Sequence, residues 1–320
     1  MTPSDNVQPL DLSGDHDAVS AVLDALGTII LGKPDTLRLA LTCILARGHL
    51  LIEDVPGMGK TTLAHALAKV LGLSFQRIQF TSDLLPADVV GVSMYDRENQ
   101  QFNFHPGPLF QQLVLADEIN RATPKTQSAL LEAMEEQQVT VDGQTHPLPD
   151  PFFVIATQNP VEQVGTYPLP ESQLDRFLMR LSVGYPSPDV ERALLMGEDR
   201  QQMIRETAAV ITPVRLTALQ AAVDRVHVSE ALVDYVQSLV QASRDDARLD
   251  GGLSPRAALG LIRAARAHAV VRGEQHVLPD DVQAVLPAVV DHRVLWRDLA
   301  DRTTTSSTGR YLLEQVTVDP

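Results

Sequence analysis

The chain has 320 residues, of which 44% are hydrophobic and 21% charged, so it is long enough to bury a full core and predicts two domains of unequal character. Its formal net charge of −15 disfavours nucleic acid as a partner, because phosphate backbones would be repelled. Apolar runs stay well short of the roughly 20 residues that cross a bilayer, and residues 1–15 carry no signal sequence, so we expect a cytoplasmic protein without a membrane span.

Five short apolar segments in the first half of the chain are bounded by Gly, Pro or Asp and predict buried parallel strands. They lie at residues 50–52, 75–80, 113–116, 152–156 and 179–183. Longer segments with helical spacing lie between them, including residues 61–71 and 126–135. Strands that alternate with helices predict an α/β fold in which helices cover a parallel sheet.

Two further segments interrupt this alternation and predict β-hairpins, near residues 91–104 and 139–148. The second contains Asp142-Gly143, a pair that favours a tight two-residue turn. We therefore expect both hairpins to be insertions in the first domain, which we place at residues 16–185.

The composition changes after residue 185, where strand-like runs give way to Ala, Leu, Val and Arg at helical spacing. Ser254-Pro255 and Leu278-Pro279 predict helix starts, because proline suits the first position of a helix. We expect residues 186–320 to form a small all-helical domain. Residues 1–15 and the polar segment 301–308 are predicted to be mobile.

The first predicted strand is followed by a glycine-rich loop, Pro56-Gly57-Met58-Gly59-Lys60-Thr61-Thr62, and then by a helix. Such a loop turns backbone N–H groups toward phosphates, the lysine reaches the β- and γ-phosphates, and the Thr61 hydroxyl coordinates magnesium. Asp54 stands where the common pattern begins with glycine, and it hints at impairment. The competing interpretation is a glycine-rich turn beside an incidental lysine.

Polar residues follow the third and fourth predicted strands, at the carboxyl edge of the sheet where ligands bind in α/β folds. Asp117-Glu118 resembles a Walker B pair: Asp117 would hold magnesium through water, and Glu118 would orient the attacking water. Asn159 resembles a sensor-1 residue that contacts the γ-phosphate or that water. Taken alone, the same residues are equally compatible with solvated acids and an Asn-Pro turn.

With these motifs in this order, the chain resembles the AAA+ superfamily and is similar to the MoxR family in particular. The longest matching phrases are residues 77–86, 116–122, 156–160 and 165–171. The resemblance implies a three-layer αβα core with a five-stranded parallel sheet, a helical lid, and ATP and Mg²⁺ as ligands. It also implies a ring, expected to be a hexamer, that remodels a protein client with a von Willebrand factor A domain partner.

The resemblance also implies roles for residues outside the phosphate loop. Arg176 would be the arginine finger that reaches a neighbouring subunit, with Arg180 and Arg121 as alternatives. Arg256 would be the sensor-2 arginine that reaches the γ-phosphate of its own subunit, and Leu31-Gly32 would pack against adenine. The two hairpins match inserts that contact the client or line a pore, although the charged tip at 97–98 equally fits a solvated turn.

Three other functions remain open from the sequence. A magnesium-chelatase ATPase subunit shares the motor and the inserts. A nucleotide-dependent switch or scaffold with low turnover would account for Asp54. A motor acting on nucleic acid is disfavoured by the acidic charge balance.

Overall fold

The computed structural model describes residues 13–160, 165–197, 199–298 and 307–318. Residues 1–12 and 301–306, which were predicted to be mobile, lie outside these ranges. Residues 13–15 were predicted to be mobile, but they form the first turn of helix α1 (Ser13–Ile29). The ion pair between Asp15 and Arg215, at 2.8 Å, fastens this turn to the second half of the chain. Likewise, Thr308 begins a C-terminal helix rather than ending a mobile segment.

A five-stranded parallel sheet forms the centre of the first domain. Its strands in spatial order are β2 (Phe75–Gln79), β5 (Leu113–Asp117), β8 (Phe153–Gln158), β1 (His49–Glu53) and β9 (Phe177–Leu181). Every pairing between neighbouring strands is parallel. The predicted α/β fold with a five-stranded parallel sheet is confirmed.

Both faces of the sheet are buried because alternate residues of each strand enter different hydrophobic clusters. Leu50 and Ile52 of β1 pack in one cluster, with α1, α2 (Pro34–Leu45) and α3 (Lys60–Val70). Leu51 packs in the other cluster, with α5 (Pro124–Glu136). Two short helices, α4 (Pro86–Val90) and α6 (Glu171–Leu174), complete the first domain. The result is a helix–sheet–helix sandwich.

Two antiparallel hairpins project from the sandwich. The first pairs β3 (Gly91–Asp96) with β4 (Gln101–Pro106), and the second pairs β6 (Gln138–Val141) with β7 (Gln144–Pro147). Asp142 and Gly143 form the turn of the second hairpin, and both have positive φ angles, 50° and 78°. This conformation matches the twist of the flanking strands.

The rest of the chain forms a lid made of seven helices in its described part. They are α7 (Pro188–Met196), α8 (Arg200–Glu206), α9 (Pro213–Arg225), α10 (Glu230–Asp245), α11 (Pro255–Arg272), α12 (Pro279–Val290) and α13 (Thr308–Gln315). The prediction of an all-helical domain is wrong in one detail, because β10 (Leu249–Asp250) pairs with β11 (Leu295–Trp296). A pair of two-residue strands is too short to leave a periodic sequence pattern.

The lid packs on the sandwich through α11, which contacts α1 and α2. Ser254 caps this helix by accepting a hydrogen bond from the N–H of Ala257, and Pro255 occupies the first helical position. Buried alanines and valines of α11 join the hydrophobic cluster that lies over one face of the sheet. No helix within the described ranges is long and apolar enough to cross a bilayer.

Candidate nucleotide site and a second arginine-lined cavity

The phosphate-loop residues lie between the end of β1 and the start of α3. Gly57 and Gly59 have φ angles of 85° and 79°, and a Cβ atom on either would meet nothing within 4 Å. Helix α3 begins at Lys60, and no side chain caps its first turn. The N–H groups of that turn therefore face an open loop, an arrangement that suits a phosphate group.

Lys60 points back across the loop. Its Nζ donates to the carbonyl oxygens of Asp54, at 2.6 Å, and Gln158, at 3.3 Å. Burial lowers the pKa of Lys60, while the carboxylates of Asp117, Asp54 and Glu118 act in the opposite direction. The ammonium group thus sits at the carboxyl edge of the sheet beside the predicted Walker B pair.

Asp117 is buried at the end of β5, and both of its carboxylate oxygens already accept hydrogen bonds. Thr157 Oγ1 donates to Oδ1 at 2.5 Å, and Arg77 binds Oδ2 through Nε at 3.0 Å and Nη2 at 2.7 Å. Because each carboxylate oxygen has a further lone pair, a water held by Mg²⁺ still has an acceptor here. Arg77 was not predicted from the sequence.

Glu118 follows Asp117 in a left-handed conformation, with φ of 56°. Its N–H donates to Thr157 Oγ1 at 2.9 Å. Its Oε2 lies 3.0 Å from both Gln79 Nε2 and Arg121 Nε. The carboxylate that would orient water is therefore held by two donors of its own subunit.

The end of β8 supplies the last polar groups of this edge. Asn159, the predicted sensor-1 residue, directly follows the strand and is 5% exposed. The Nε2 atom of its neighbour Gln158 is buried and has no hydrogen-bond partner among the residues that the structure describes. A buried amide donor of this kind, on a residue whose backbone carbonyl binds Lys60, fits a site that takes a polar ligand. Thr61 and Asp117 offer the oxygen atoms that Mg²⁺ prefers, with water completing its shell.

A cavity of about 170 Å³ adjoins the phosphate loop and could hold a nucleotide base. Leu31 lines it together with Met58 and Thr62 of the loop and helix α3, and with residues that follow β9. The predicted Leu31 is thus placed beside the loop. Gly32 does not line this cavity, because it packs against Val190 instead.

The two predicted sensor and finger arginines meet at the opposite, amino edge of the sheet. Arg176 Nη2 lies 3.0 Å from Glu135 Oε2, and Arg256 Nη1 lies 2.9 Å from Glu135 Oε1. All three line a cavity of about 440 Å³ that also includes His49, the first residue of β1. Three further arginines line it and make it strongly cationic: Arg47, Arg263 and Arg293.

The predicted contact of Arg256 with the nucleotide site of its own subunit is not formed in this structure. The five residues of β1 separate the two edges by roughly 15 Å. Arg256 lies at the edge with Arg176, whereas Lys60 lies at the other. The lid helix α11 begins beside the amino ends of the strands, and nothing in the local sequence around Arg256 encodes that position.

The alternatives for the arginine finger separate by position. Arg121 pairs with Glu118 of its own Walker B segment. Arg180 lies on β9 and pairs with Glu53, the last residue of β1, at 2.8 Å. Arg176 alone among the three candidates lies in the arginine-lined cavity. It is therefore the candidate that lies away from the phosphate loop of its own subunit, at the amino edge of the sheet.

A buried arginine of the lid holds the segment that carries Arg176. Arg293, whose side chain is 7% exposed, donates from Nε to Asp175 Oδ1 at 2.7 Å and from Nη2 to the carbonyl of Phe177 at 2.6 Å. Burial lowers its pKa, and the Asp175 carboxylate opposes that change. The residues on either side of Arg176 are thus fastened to the end of α12.

The fold and the site together define a P-loop ATPase of the AAA+ class, with a nucleotide-binding sandwich and a lid. Residues 49–179 match the family model described as the ATPase family associated with various cellular activities, and residues 241–309 match the AAA lid domain. A solved structure of a candidate ATPase from Cytophaga hutchinsonii superposes with a TM-score of 0.85 at 35% identity and covers 97% of each chain.

Curated relatives specify the family. The chain is 47% identical over 280 residues to protein YeaC of Bacillus subtilis, covering 88% of both chains. It is 44% identical over 278 residues to chaperone MoxR1 of Mycobacterium tuberculosis, covering 83% of this chain and 73% of that one. The chain belongs to the MoxR family of AAA+ ATPases, which confirms the resemblance seen in its motifs.

Proposed function

We propose that the chain hydrolyses ATP with Mg²⁺ at the interfaces of a ring, expected to be a hexamer, and uses the resulting lid movement to remodel a protein client. One observation carries the proposal. The groups that bind phosphate and activate water lie at the carboxyl edge of the sheet, whereas Arg176 and Arg256 lie at the amino edge. In a head-to-tail ring, the amino edge of the sheet in one subunit faces the carboxyl edge of the sheet in the next.

The residues of the chain divide the chemistry between them. The first-turn N–H groups of α3 and Lys60 bind the β- and γ-phosphates of ATP. Glu118 accepts a hydrogen bond from the attacking water and aligns it, and Asn159 positions the same water or the γ-phosphate. Thr61 and Asp117 hold Mg²⁺, which when bound neutralises phosphate charge. Arg176 and Arg256 of the neighbour stabilise the charge that develops on the transferred phosphoryl group.

The isolated subunit has a resting arrangement of these groups. Arg77 donates hydrogen bonds to the carboxylate of Asp117. Gln79 donates a hydrogen bond to the carboxylate of Glu118, and Arg121 forms an ion pair with it. Both donors stabilise the ionised carboxylate of Glu118 and so weaken it as an acceptor for the attacking water. This observation favours a second candidate function, a nucleotide-dependent switch with low turnover, for a chain without a neighbour.

The nature of the client rests on two lines of support. The relative MoxR1 is named a chaperone, and the family resemblance implies a partner with a von Willebrand factor A domain. The β3–β4 hairpin also exposes apolar side chains, including Met94, Tyr95 and Phe102, which are 53–71% exposed. An exposed apolar patch of this kind suits contact with another protein.

The test measures ATP turnover and, by light scattering, mass with and without nucleotide for the wild type, Glu118→Gln and Arg176→Ala. We expect ATP to drive ring formation, Glu118→Gln to form rings with turnover reduced at least about 100-fold, and Arg176→Ala to bind ATP with a similar loss. Exposed Glu136→Gln on α5 is the matched control and should behave as wild type. A monomer that binds ATP without turnover would leave the switch function standing instead.

A further inference from the structure

Asp54, at the position where phosphate loops commonly begin with glycine, has a buried carboxylate with four hydrogen-bond donors. Oδ1 accepts from the N–H of Val55 at 3.1 Å. Oδ2 accepts from Ser182 Oγ at 3.0 Å and from the N–H groups of Val183 and Gly184, both at 2.7 Å. The single Oδ2 atom thus accepts hydrogen bonds from three consecutive residues that directly follow the last residue of β9.

The three residues bound by Asp54 form the linker between the sheet and the lid. Val183 and Gly184 line the cavity proposed to hold the base, opposite Met58 of the phosphate loop. The next residue, Tyr185, offers its carbonyl to Lys33 Nζ at 2.8 Å. Asp54 therefore fastens one wall of the base cavity to the first residue of the loop that would bind the phosphates.

The same residue also reaches the phosphate side of the site. Its backbone carbonyl accepts a hydrogen bond from Lys60 Nζ at 2.6 Å, and its N–H donates to the carbonyl of Gln158 at 3.3 Å. Its backbone thus lies against the lysine that binds phosphate, while its side chain holds the linker.

From these contacts we propose that Asp54 is a positioning residue that holds one wall of the base cavity at a fixed position relative to the phosphate loop. It contributes to the affinity for the nucleoside part of the ligand rather than to the affinity for the phosphates. The inference rests on the proposed nucleotide binding and extends it to a residue that the loop pattern would treat as a defect. A carboxylate near the phosphates repels them, and the four donors together with Lys60 offset that repulsion.

The chemistry of this contact requires a carboxylate. Three donors converge on Oδ2, so an asparagine would either lose acceptor strength there or turn its NH₂ group toward other donors. Glycine would remove the tether altogether. Asparagine thus loosens the linker and glycine releases it, so the wall of the base cavity is held less firmly while the loop itself keeps Gly57, Gly59 and Lys60.

The test compares two ligands of the full chain, ADP and inorganic tripolyphosphate, by calorimetry on the wild type, Asp54→Asn and Asp54→Gly. We expect the affinity for ADP to fall about tenfold or more, a loss typical for hydrogen bonds to a charged group, while the affinity for tripolyphosphate changes less than about threefold. Ser182→Ala, which removes one of the three linker donors, should fall between the wild type and Asp54→Asn. Exposed Asp142→Asn at the tip of the second hairpin is the control.

The possible results distinguish the positioning role of Asp54 from the proposed nucleotide binding by the chain. Equal losses for ADP and tripolyphosphate, or no loss for either, would overturn the positioning role while leaving nucleotide binding intact. A wild type that binds neither ligand would overturn the proposed function and this inference with it. Should the Asp54 variants fail to fold, as judged by circular dichroism, the ratio of the two affinities in Ser182→Ala decides.

Discussion

His49 is a buried histidine at the amino end of β1, where it forms part of the wall of the arginine-lined cavity. Its Nδ1 accepts a hydrogen bond from the N–H of Val154, and its Nε2 donates to the carbonyl of Met134. Burial lowers its pKa from 6.5 to about 4, and the contact with Met134 opposes this only in part. The folded chain therefore keeps this imidazole neutral under conditions in which the unfolded chain protonates it.

The direction of the resulting pH dependence follows from linkage. Between pH 6.5 and 4 the unfolded state binds more protons at this site, so the free energy of unfolding falls as pH decreases. A shift to about 4 predicts that His49 alone removes about 2 kcal/mol between pH 7 and pH 4.5. His49→Gln keeps a donor and an acceptor without titrating. Over this pH range its free energy of unfolding should therefore fall by about 2 kcal/mol less than that of the wild type.

Urea denaturation at the two pH values measures this difference. His105→Gln, at an exposed histidine on β4, is the control and should follow the wild type. Other titrating groups, including buried His292, contribute equally to wild type and variant and cancel. Equal losses of stability in the wild type and in His49→Gln would contradict the assignment of a neutral buried imidazole.

At this residue scale, the sequence predicted the groups that belong to contiguous motifs and missed those that act through distant partners. Lys60, Thr61, Asp117 and Glu118 stand in short patterns whose chemistry is legible from spacing alone. Arg77 and Gln79 were missed, although they lie two residues apart on β2 and so share the face of the sheet from which they contact Asp117 and Glu118. Their partners are about 40 residues away along the chain, so the local pattern carried no signal of the contact.

At the scale of elements, the end of α12 fastens the lid to the segment before β9. The guanidinium of Arg293 also donates to the carbonyls of Leu178 and Val289, besides Asp175 and Phe177. We expect Arg293→Met to lower the free energy of unfolding by about 3 kcal/mol, because it removes a buried charged donor that binds the Asp175 carboxylate and several backbone carbonyls.

The matched control for this prediction is Arg263→Met, at an arginine that lines the same cavity but is exposed. A surface substitution of this kind should change stability by no more than about 0.5 kcal/mol. Urea unfolding of both variants gives the comparison. Similar losses of stability for the two would show that Arg293 does not hold the two elements together.

The elements themselves were largely predictable because their signals are periodic. All five sheet strands and both hairpins lie within a few residues of the segments that the sequence indicated. The β10–β11 pair was missed because two residues per strand carry no period. The helix starts at Pro255 and Pro279 were legible from proline and its preceding residue, which is local chemistry.

At the scale of the whole molecule, the position of the lid could not be read from the sequence. It depends on contacts between residues more than 100 positions apart, such as Arg293 with Asp175 and Arg256 with Glu135. These contacts place Arg256 beside Arg176, and a role between subunits is the one that we propose for it.

Mixing two inactive variants tests whether both arginines serve a neighbour. A Glu118→Gln subunit has intact arginines, whereas an Arg176→Ala subunit has an intact Lys60, Asp117 and Glu118. In rings formed from equal amounts, a site is complete only where an Arg176→Ala subunit receives its arginine from a Glu118→Gln neighbour. Random mixing then restores about a quarter of the wild-type turnover per subunit.

The same mixture made with Arg256→Ala separates the two possible roles of the lid arginine. Because Arg256 lies with Arg176 at the amino edge, we expect turnover to recover to a similar level in that mixture also. An arginine that acted within its own subunit would give no recovery, since each subunit would still lack one group of its own site. Recovery with Arg176→Ala but not with Arg256→Ala would mean that the lid moves Arg256 to the nucleotide of its own chain on assembly.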